Sequence, residues 1–267
     1  LPPDPPDHDY ADSVTGKSVY LEYCLAQSPP LVPVSGFLDN IERTNVQLSH
    51  HGLMPKAAVA MAQCLKVNMC VQTLDLSDNF LGDAGAGALA EAFRVNTTLT
   101  SVNLGGNRIG VEGRRGLAGI LTRCRNVQSF AIADNKLGDG FTVALGEWVR
   151  LTTTLTSLDV SRTGMTSVGA TSFASGLAAN RTLVEVNASW NQLRSPGGVA
   201  LFNALESSHL TSLNVSFASL GDEAGAVLAA VLTTNKTLQA LDVSHNNFTY
   251  RTAVALAMAL GGDTGME

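Results

Sequence analysis

The segment TLDLSDNFLGDAGAGALAEAF, residues 73–93, decides the fold because its pattern recurs along the chain. The next copy, SVNLGGNRIGVEGRRGLAGIL, occupies residues 101–121, and five further copies follow it. A step of 28 residues back from Leu74 reaches Val46, so VQLSHHGLMPK opens an eighth copy. The first apolar strand positions are 28 residues apart, with one step of 27: Val46, Leu74, Val102, Phe130, Leu158, Val186, Leu213 and Leu241. Such self-similarity predicts a repeat architecture.

Each copy contains two periods. Leu74 and Leu76 alternate with polar residues, which is typical of one face of a strand. Leu89 and Phe93 are four residues apart, which places them on one stripe of a helix. Each copy is therefore predicted to form a short strand, a turn and a helix, and to bury its apolar face by stacking on its neighbours.

The copies resemble the leucine-rich repeat pattern LxxLxLxxNxL at the length of the ribonuclease-inhibitor class, over about 215 of 267 residues. The resemblance implies an α/β solenoid, a right-handed β-α arc of about eight repeats with a concave parallel sheet and convex helices. It also implies that the asparagine of the motif satisfies backbone groups in the turn. That position contains His51, Asn79, Asn107, Asn135, Thr163, Asn191, Ala218 and Asn246.

Composition shifts divide the chain into four predicted parts. Residues 1–16 form a Pro- and Asp-rich extended arm, because such a segment cannot bury a core. Residues 17–45 form a cap that covers the first repeat. Residues 46–260 form the repeat domain, and residues 261–267 form a C-terminal tail.

Charge and composition limit the classes of partner. The formal net charge of −6 argues against a nucleic-acid partner, which usually selects a basic surface. No apolar run approaches the roughly 20 residues that cross a bilayer, so we expect no membrane partner. We expect no cofactor, metal or small-molecule substrate either. The four cysteines lack CxxC spacing, which favours reduced thiols and a cytoplasmic location.

Residues that could suggest catalysis or metal binding have simpler explanations in the repeat. His50 and His51 are adjacent, and neighbours in an extended chain point in opposite directions, so they chelate one ion poorly. TGKS at 15–18 lacks the upstream glycine of a phosphate loop, since residue 11 is alanine. A serine column, expected to face outward, recurs without a break, so no enzyme is predicted: Ser77, Ser161, Ser189, Ser216 and Ser244.

Asparagines in sequons are also interpreted as parts of the repeat. Asn96, Asn180 and Asn235 each end a helix, where asparagine tolerates a left-handed cap. Trp148 is next to the core position Val149, and we expect it to be partly buried.

One column at the rim of the sheet changes character along the chain. Its first members are mainly polar or small, and its last four are predicted to form one protein-binding patch: Arg162, Trp190, Phe217 and His245. Exposed Trp, Phe and Arg are suited to interfaces. The alternative is that Trp190 and Phe217 fold over the turns and pack locally. A neighbouring column is polar and mildly acidic, from Gln47 and Asp75 to Asp242.

A second candidate surface is basic. Five arginines fall in or just after the third repeat, and Arg114 and Arg115 were taken as its protein-binding members: Arg108, Arg114, Arg115, Arg123 and Arg125. Such a patch could meet an acidic partner. The alternative is a solvated helix face.

The predicted function is a non-enzymatic protein–protein interaction scaffold. The passage from SVYLEYC to LSHHGLMPK is similar to the start of the family of leucine-rich repeat-containing protein 74, which implies an intracellular, non-enzymatic role. A ciliary or other cytoskeletal assembly is one hypothesis by analogy. Regulation of a small GTPase is the alternative, because the activator of Ran has the same repeat class.

Overall fold

A computed structural model of the chain describes residues 13–121 and 125–261, without the side chains at positions 115 and 118–121. The chain divides into two compact units, Leu1–Ala131 and Ile132–Glu267. The described elements of the first unit are α1 Lys17–Leu25, α2 Ser35–Leu38, β1 Asn45–Gln47, α3 Pro55–Leu65, β2 Thr73–Asp75, α4 Gly82–Val95, β3 Ser101–Asn103, α5 Val111–Leu121 and β4 Ser129–Ala131. Those of the second are α6 Asp139–Leu151, β5 Ser157–Asp159, α7 Ser167–Ala179, β6 Glu185–Asn187, α8 Arg194–Ala204, β7 Ser212–Asn214, α9 Asp222–Leu232, β8 Ala240–Asp242 and α10 Tyr250–Gly261.

Strands in each unit pair in parallel with the register that the sequence period predicts. In the first unit, the strand centres Val46, Leu74, Val102 and Phe130 are successive partners. In the second, Leu158, Val186, Leu213 and Leu241 are successive partners. Helices pack on the helices of adjacent repeats within each unit. The predicted α/β fold of alternating strands and helices is confirmed.

Buried asparagines hold the turn that follows each strand. Asn79 donates through Nδ2 to the carbonyl oxygens of Leu48, in the preceding repeat, and of Leu76, at 2.8 and 2.9 Å. Its Oδ1 accepts the backbone N–H of Leu53 at 2.9 Å. Asn107 and Asn191 donate to the equivalent carbonyls. The role that the resemblance implied for this position is present, because these backbone groups have left the strand ladder and are buried.

Where the motif lacks asparagine, its neighbours compensate. Thr163 donates through Oγ1 to the carbonyl of Val160 at 2.8 Å. Ala218 has no polar side chain, and its N–H is accepted by Oδ1 of Asn246 at 3.0 Å.

Asparagines at the helix ends do not adopt the predicted left-handed conformation. Asn96 and Asn180 are extended, with φ of −68° and −74°. The side chain of Asn96 donates to the carbonyl of Leu65 at 2.7 Å and accepts the N–H of Leu99 at 2.8 Å. These residues therefore recur because they connect repeats, and Asn96 and Asn180 are both buried, as the interpretation of their sequons requires.

The predicted helix stripe forms the core up to the seventh repeat. Leu89, Leu145 and Phe173 are fully buried. In the eighth repeat, Leu260 is 68% exposed. Trp148 is 1% exposed, so the expectation of partial burial was wrong.

The first repeat is covered by the cap, in which Tyr20 and Phe37 are buried and meet edge to face, with ring centroids 5.0 Å apart. Burial raises the pKa of Tyr20 to about 12. Residues 13–15 are helical, and the carbonyl of Thr15 accepts the side-chain amide of Asn68 at 2.8 Å. The packed region therefore begins before the predicted boundary at residue 17, while residues 1–12 lie outside the described ranges.

The asparagine ladder gives a test of stability. Asn191→Ala should lower the free energy of unfolding by about 3 kcal/mol, because it leaves buried backbone groups of two repeats without partners. Urea unfolding followed by circular dichroism measures the change. Asn247→Ala is the matched control, since Asn247 is exposed and its backbone bond to Leu220 survives the substitution. Equal losses in the two variants would contradict the ladder.

A carboxylate between the last two repeats gives a test by pH. Asp222 accepts bonds from the hydroxyl and N–H of Thr249 and from the hydroxyl of Thr252, and these lower its pKa to about 2. A lowered folded-state pKa stabilises the fold above the ordinary value of 3.8, and this contribution disappears as the pH falls toward 2.

Asp222→Asn should therefore lower the melting temperature at pH 7 and flatten its fall between pH 4 and 2. Thermal melts across that range measure both effects. Glu223→Gln, at the adjacent exposed position, should leave the pH profile unchanged. An unchanged profile in Asp222→Asn would rule out this linkage.

Candidate functional site

One residue of each repeat has a left-handed backbone conformation just after the strand. We call this set the rim column, and its φ angles lie between 51° and 64°: His50, Asp78, Gly106, Asp134, Arg162, Trp190, Phe217 and His245. The N–H groups of Arg162, Trp190 and Phe217 donate to serine carbonyls of the following repeat at 2.9–3.1 Å. The rim column is therefore an ordered ladder in the second unit.

Four consecutive members of the rim column stack on one another. The guanidinium carbon Cζ of Arg162 is 4.2 Å from the ring centroid of Trp190. The rings of Trp190 and Phe217 are 3.9 Å apart and inclined by 12°. Those of Phe217 and His245 are 4.1 Å apart and inclined by 13°. We call these four residues the stacked rim.

The stacked rim is accessible to a partner. Trp190 is 47% exposed, Phe217 is half-buried, and Arg162 and His245 are exposed. The structure thus brings together the four residues that the sequence singled out. The packing that the alternative expected does occur, but it is within the patch itself and leaves the ring edges open.

The residue types of the stacked rim are unusual for their backbone. Left-handed conformations suit glycine, aspartate and asparagine, and are uncommon for bulky side chains. Asp78, Gly106 and Asp134 fit this requirement, whereas Trp190 and Phe217 do not. Such a conformation costs on the order of 1–3 kcal/mol per residue. Ring stacking offsets about 0.5–1.5 kcal/mol per pair. The fold therefore does not require these side chains at these positions.

A trough lies beside the Arg162 end of the stacked rim. Its volume is about 440 Å³, and its lining residues are Asp134, Asn135, Lys136, Gly138, Arg162, Thr163, Gly164 and Trp190. All of them belong to the second unit. One wall is the indole of Trp190, and the exposed charged side chains of Asp134, Lys136 and Arg162 reach the same space.

The polar column on the strands has a structural role that the sequence analysis missed. Asp75, Asp159 and Asp242 each accept the N–H of the serine two residues later at 2.9 Å. In Asp242, this bond is the main cause that lowers the pKa of the carboxyl group. Asparagine and aspartate form such local turns readily. Much of the acidic character of this column is thus explained by the end of each strand.

The serine column does not face outward throughout, as expected. Ser161, Ser189 and Ser216 are buried. The hydroxyl of Ser216 donates to Oδ1 of Asn214 at 2.8 Å. These serines are small and buried because the chain turns immediately after them, which leaves the next residue as the accessible one.

The predicted arginine cluster is only partly described. Arg114 is half-buried on α5, and Arg125 is exposed after that helix. The side chain of Arg115 and all of Arg123 lie outside the described residues. Arg108 instead lies over the ring of Phe80, with Cζ 4.3 Å from the centroid. This pair was not predicted, although the two residues are 28 apart at equivalent positions.

The two histidines have different partners. Nε2 of His50 is 3.4 Å from Oδ2 of Asp78, and Nδ1 of His51 donates to the carbonyl of Ser49 at 2.7 Å. Neither shares a ligand position with the other. Within the described ranges, no three metal-ligating side chains form a group that could hold an ion.

The helices provide no candidate for a membrane span. Over residues 13–121 and 125–261, none combines the length and the apolar character that crossing a bilayer requires.

Known proteins share the repeats. NACHT, LRR and PYD domains-containing protein 14 of Mus musculus is 30% identical over 129 residues, which are 47% of this chain and 13% of that protein. The chain therefore spans only a small part of that relative. The solved structure of Leiomodin-1 Actin-Binding Site 2 is 18% identical, with a TM-score of 0.42 over 58% of this chain and 79% of that one. The tropomodulin C-terminal domain of Caenorhabditis elegans is 14% identical, with a TM-score of 0.39 over 46% and 78%.

The leucine-rich repeat family matches six segments, described as "Leucine Rich repeat": residues 67–90, 95–118, 153–174, 179–202, 206–229 and 234–257. These segments make up slightly more than half of the chain. Their spacing follows the strand–helix repeats that the structure contains. The chain belongs to the leucine-rich repeat family.

Proposed function

We propose that this chain is a non-enzymatic protein-interaction module whose contact surface is the stacked rim. The observation that supports this function is the continuous stack of Arg162, Trp190, Phe217 and His245, which stays accessible at positions whose backbone disfavours such residues. Residues that are costly for the fold and exposed to solvent indicate selection for binding.

The chemistry of the stacked rim fits a protein partner. Tryptophan and arginine are enriched among the residues that dominate binding energy at interfaces. Their conformations are already fixed by stacking, so binding avoids about 0.5–1.5 kcal/mol of ordering cost for each side chain. The ring faces of Trp190 are covered by Arg162 and Phe217, which leaves ring edges for contact. An edge-lined apolar strip suits a protein surface better than nucleic-acid bases, which stack on open ring faces.

The wider role that we propose is a structural component of an intracellular assembly. The resemblance of the cap and first repeat to leucine-rich repeat-containing protein 74, and of the repeat length to the ribonuclease-inhibitor class, supports this role. Buried thiols at Cys24 and Cys64 are consistent with a cytoplasmic location. A ciliary or cytoskeletal assembly remains our hypothesis, as does the division into arm, cap, repeat domain and tail.

Regulation of a small GTPase remains the alternative from the sequence. No described residue favours it over passive binding. A single-turnover GTP hydrolysis assay with a captured GTPase would separate the two.

The test replaces the stacked rim by residues suited to its backbone. Trp190→Asn/Phe217→Asn should reduce affinity for the protein partner by at least about a hundredfold, because the central residues of an interface contribute 2 kcal/mol or more each. The free energy of unfolding should change by no more than about 1 kcal/mol, because relief of backbone strain offsets the lost stacking. Proteins captured from native lysate should then be purified and titrated directly against both forms.

Phe80→Asn provides the matched control, since Phe80 is also an exposed aromatic residue in contact with an arginine, but in the first unit. It should keep full affinity. Retention of binding by the double variant with loss in Phe80→Asn would move the contact surface to the first unit. Retention by both would refute an aromatic contact surface.

A further inference from the structure

We propose that the trough beside Trp190 binds a side-chain carboxylate of the partner, so that the bound segment is acidic at this point. This inference rests on the proposed function, because the trough adjoins the stacked rim. It adds a charged specificity site to an otherwise apolar contact surface. Lys136 and Arg162 are the residues that we assign to the carboxylate.

Arg162 is held in an orientation suited to a carboxylate. One face of its guanidinium covers the indole of Trp190, with Cζ 4.2 Å from the ring centroid. Stacking of one face leaves the N–H donors at the edge of the plane, where they match the two oxygens of a carboxylate. Among the residues that the structure describes, no carboxylate lies within 4.0 Å of the guanidinium. The donors are therefore available to a partner.

Lys136 gives the trough a second cation. It follows Asn135 of the motif, and its side chain is exposed and lines the same space as Arg162. Over the described ranges its ammonium group forms no ion pair either. Asp134 is the one carboxylate that lines the trough. Two cations and one anion leave a net positive charge, which a carboxylate from a partner would balance.

The space for this carboxylate results from a glycine. The position after the motif asparagine contains a side chain in neighbouring repeats, Lys136 and Gln192, but Gly164 in the repeat between them. A Cβ built on Gly164 would meet no atom closer than 3.9 Å. The trough is therefore room that a side chain at position 164 would fill, bounded by Lys136 and Trp190.

The surrounding charges favour an anion in the trough over a cation. The carboxylates of the strand column nearest to it, at Asp159, accept the N–H of Ser161 and the side-chain amide of Asn187. They are thus engaged within the repeat. Lys136 and Arg162 have no such internal partner in the described chain, so an incoming carboxylate gains interactions that an incoming ammonium would not.

The test selects short random peptides by display against the full chain and measures their affinities by titration. Peptides whose binding depends on Trp190 should share an aspartate or glutamate, and its change to asparagine or glutamine should weaken binding about tenfold, as for one charge-assisted hydrogen bond. Lys136→Gln should weaken the acidic peptides to the same extent and leave the amide peptides unaffected. Lys236→Gln, the same change at an exposed lysine before β8, should have no effect.

Filling the trough is the second arm. Gly164→Asn should block the acidic peptides, since asparagine tolerates the φ of +76° at this position. Ser219→Asn is its matched control, because Ser219 occupies the equivalent left-handed position in a later repeat, with φ of 57°.

The outcomes separate the two proposals. Peptides that need Trp190 and Phe217 but carry no common acid, or that ignore Lys136→Gln and Gly164→Asn, would overturn the trough inference and leave the proposed contact surface intact. A selection in which no peptide depends on Trp190 or Phe217 would count against the contact surface itself. Acidic peptides that lose affinity equally in Lys136→Gln and Lys236→Gln would indicate general charge attraction, and would also overturn the trough.

Discussion

The buried hydrogen bonds of the motif asparagines are the interactions on which the other features depend. Every repeat must leave its strand, reverse direction and enter a helix while its backbone groups are already inside the protein. Asn79, Asn107 and Asn191 satisfy those groups in their own repeat and in the preceding one. A buried backbone group without a partner would cost about 1–3 kcal/mol, so the turn has little freedom to vary. The same constraint explains why Thr163 and the neighbour of Ala218 restore the lost bonds.

That fixed turn determines the geometry of the contact surface. A left-handed residue precedes each motif position, and its N–H donates to the next repeat along the unit. Side chains at this position are therefore held at about the 4.8 Å spacing of neighbouring strands, which planar groups can close into contact. Arg162, Trp190, Phe217 and His245 stack for this reason, although no two of them are closer than 27 residues in sequence. The repeat converts a column of letters into an ordered surface.

Sequence reasoning succeeded where a feature depends on the period alone. The centres of the strands, the buried helix stripe and the juxtaposition of Trp190 with Phe217 all follow from 28-residue spacing. It failed where the direction of a side chain depends on contacts between repeats. Asn96 is extended and bridges to Leu65, and Ser161 is buried, because the local pattern does not reveal which way each side chain turns. The pair of Phe80 and Arg108 was accessible to the same column reasoning but was hidden by treating Arg108 as part of a basic cluster.

The order of residues in the stacked rim gives the surface a direction. A guanidinium begins it, two apolar rings form its centre, and an imidazole ends it. A partner that placed an acid in the trough beside Arg162 would lay its apolar residues along Trp190 and Phe217 in one orientation only. The reverse orientation would place the acid next to His245 and Asp242 and would leave the cations of the trough unpaired. Because each misplaced charge costs binding energy that the apolar rings cannot recover, the charged end sets the register while the rings supply most of the affinity. Stability of the fold resides elsewhere, in the buried ladders and helices, so the contact surface can vary without loss of the repeat structure.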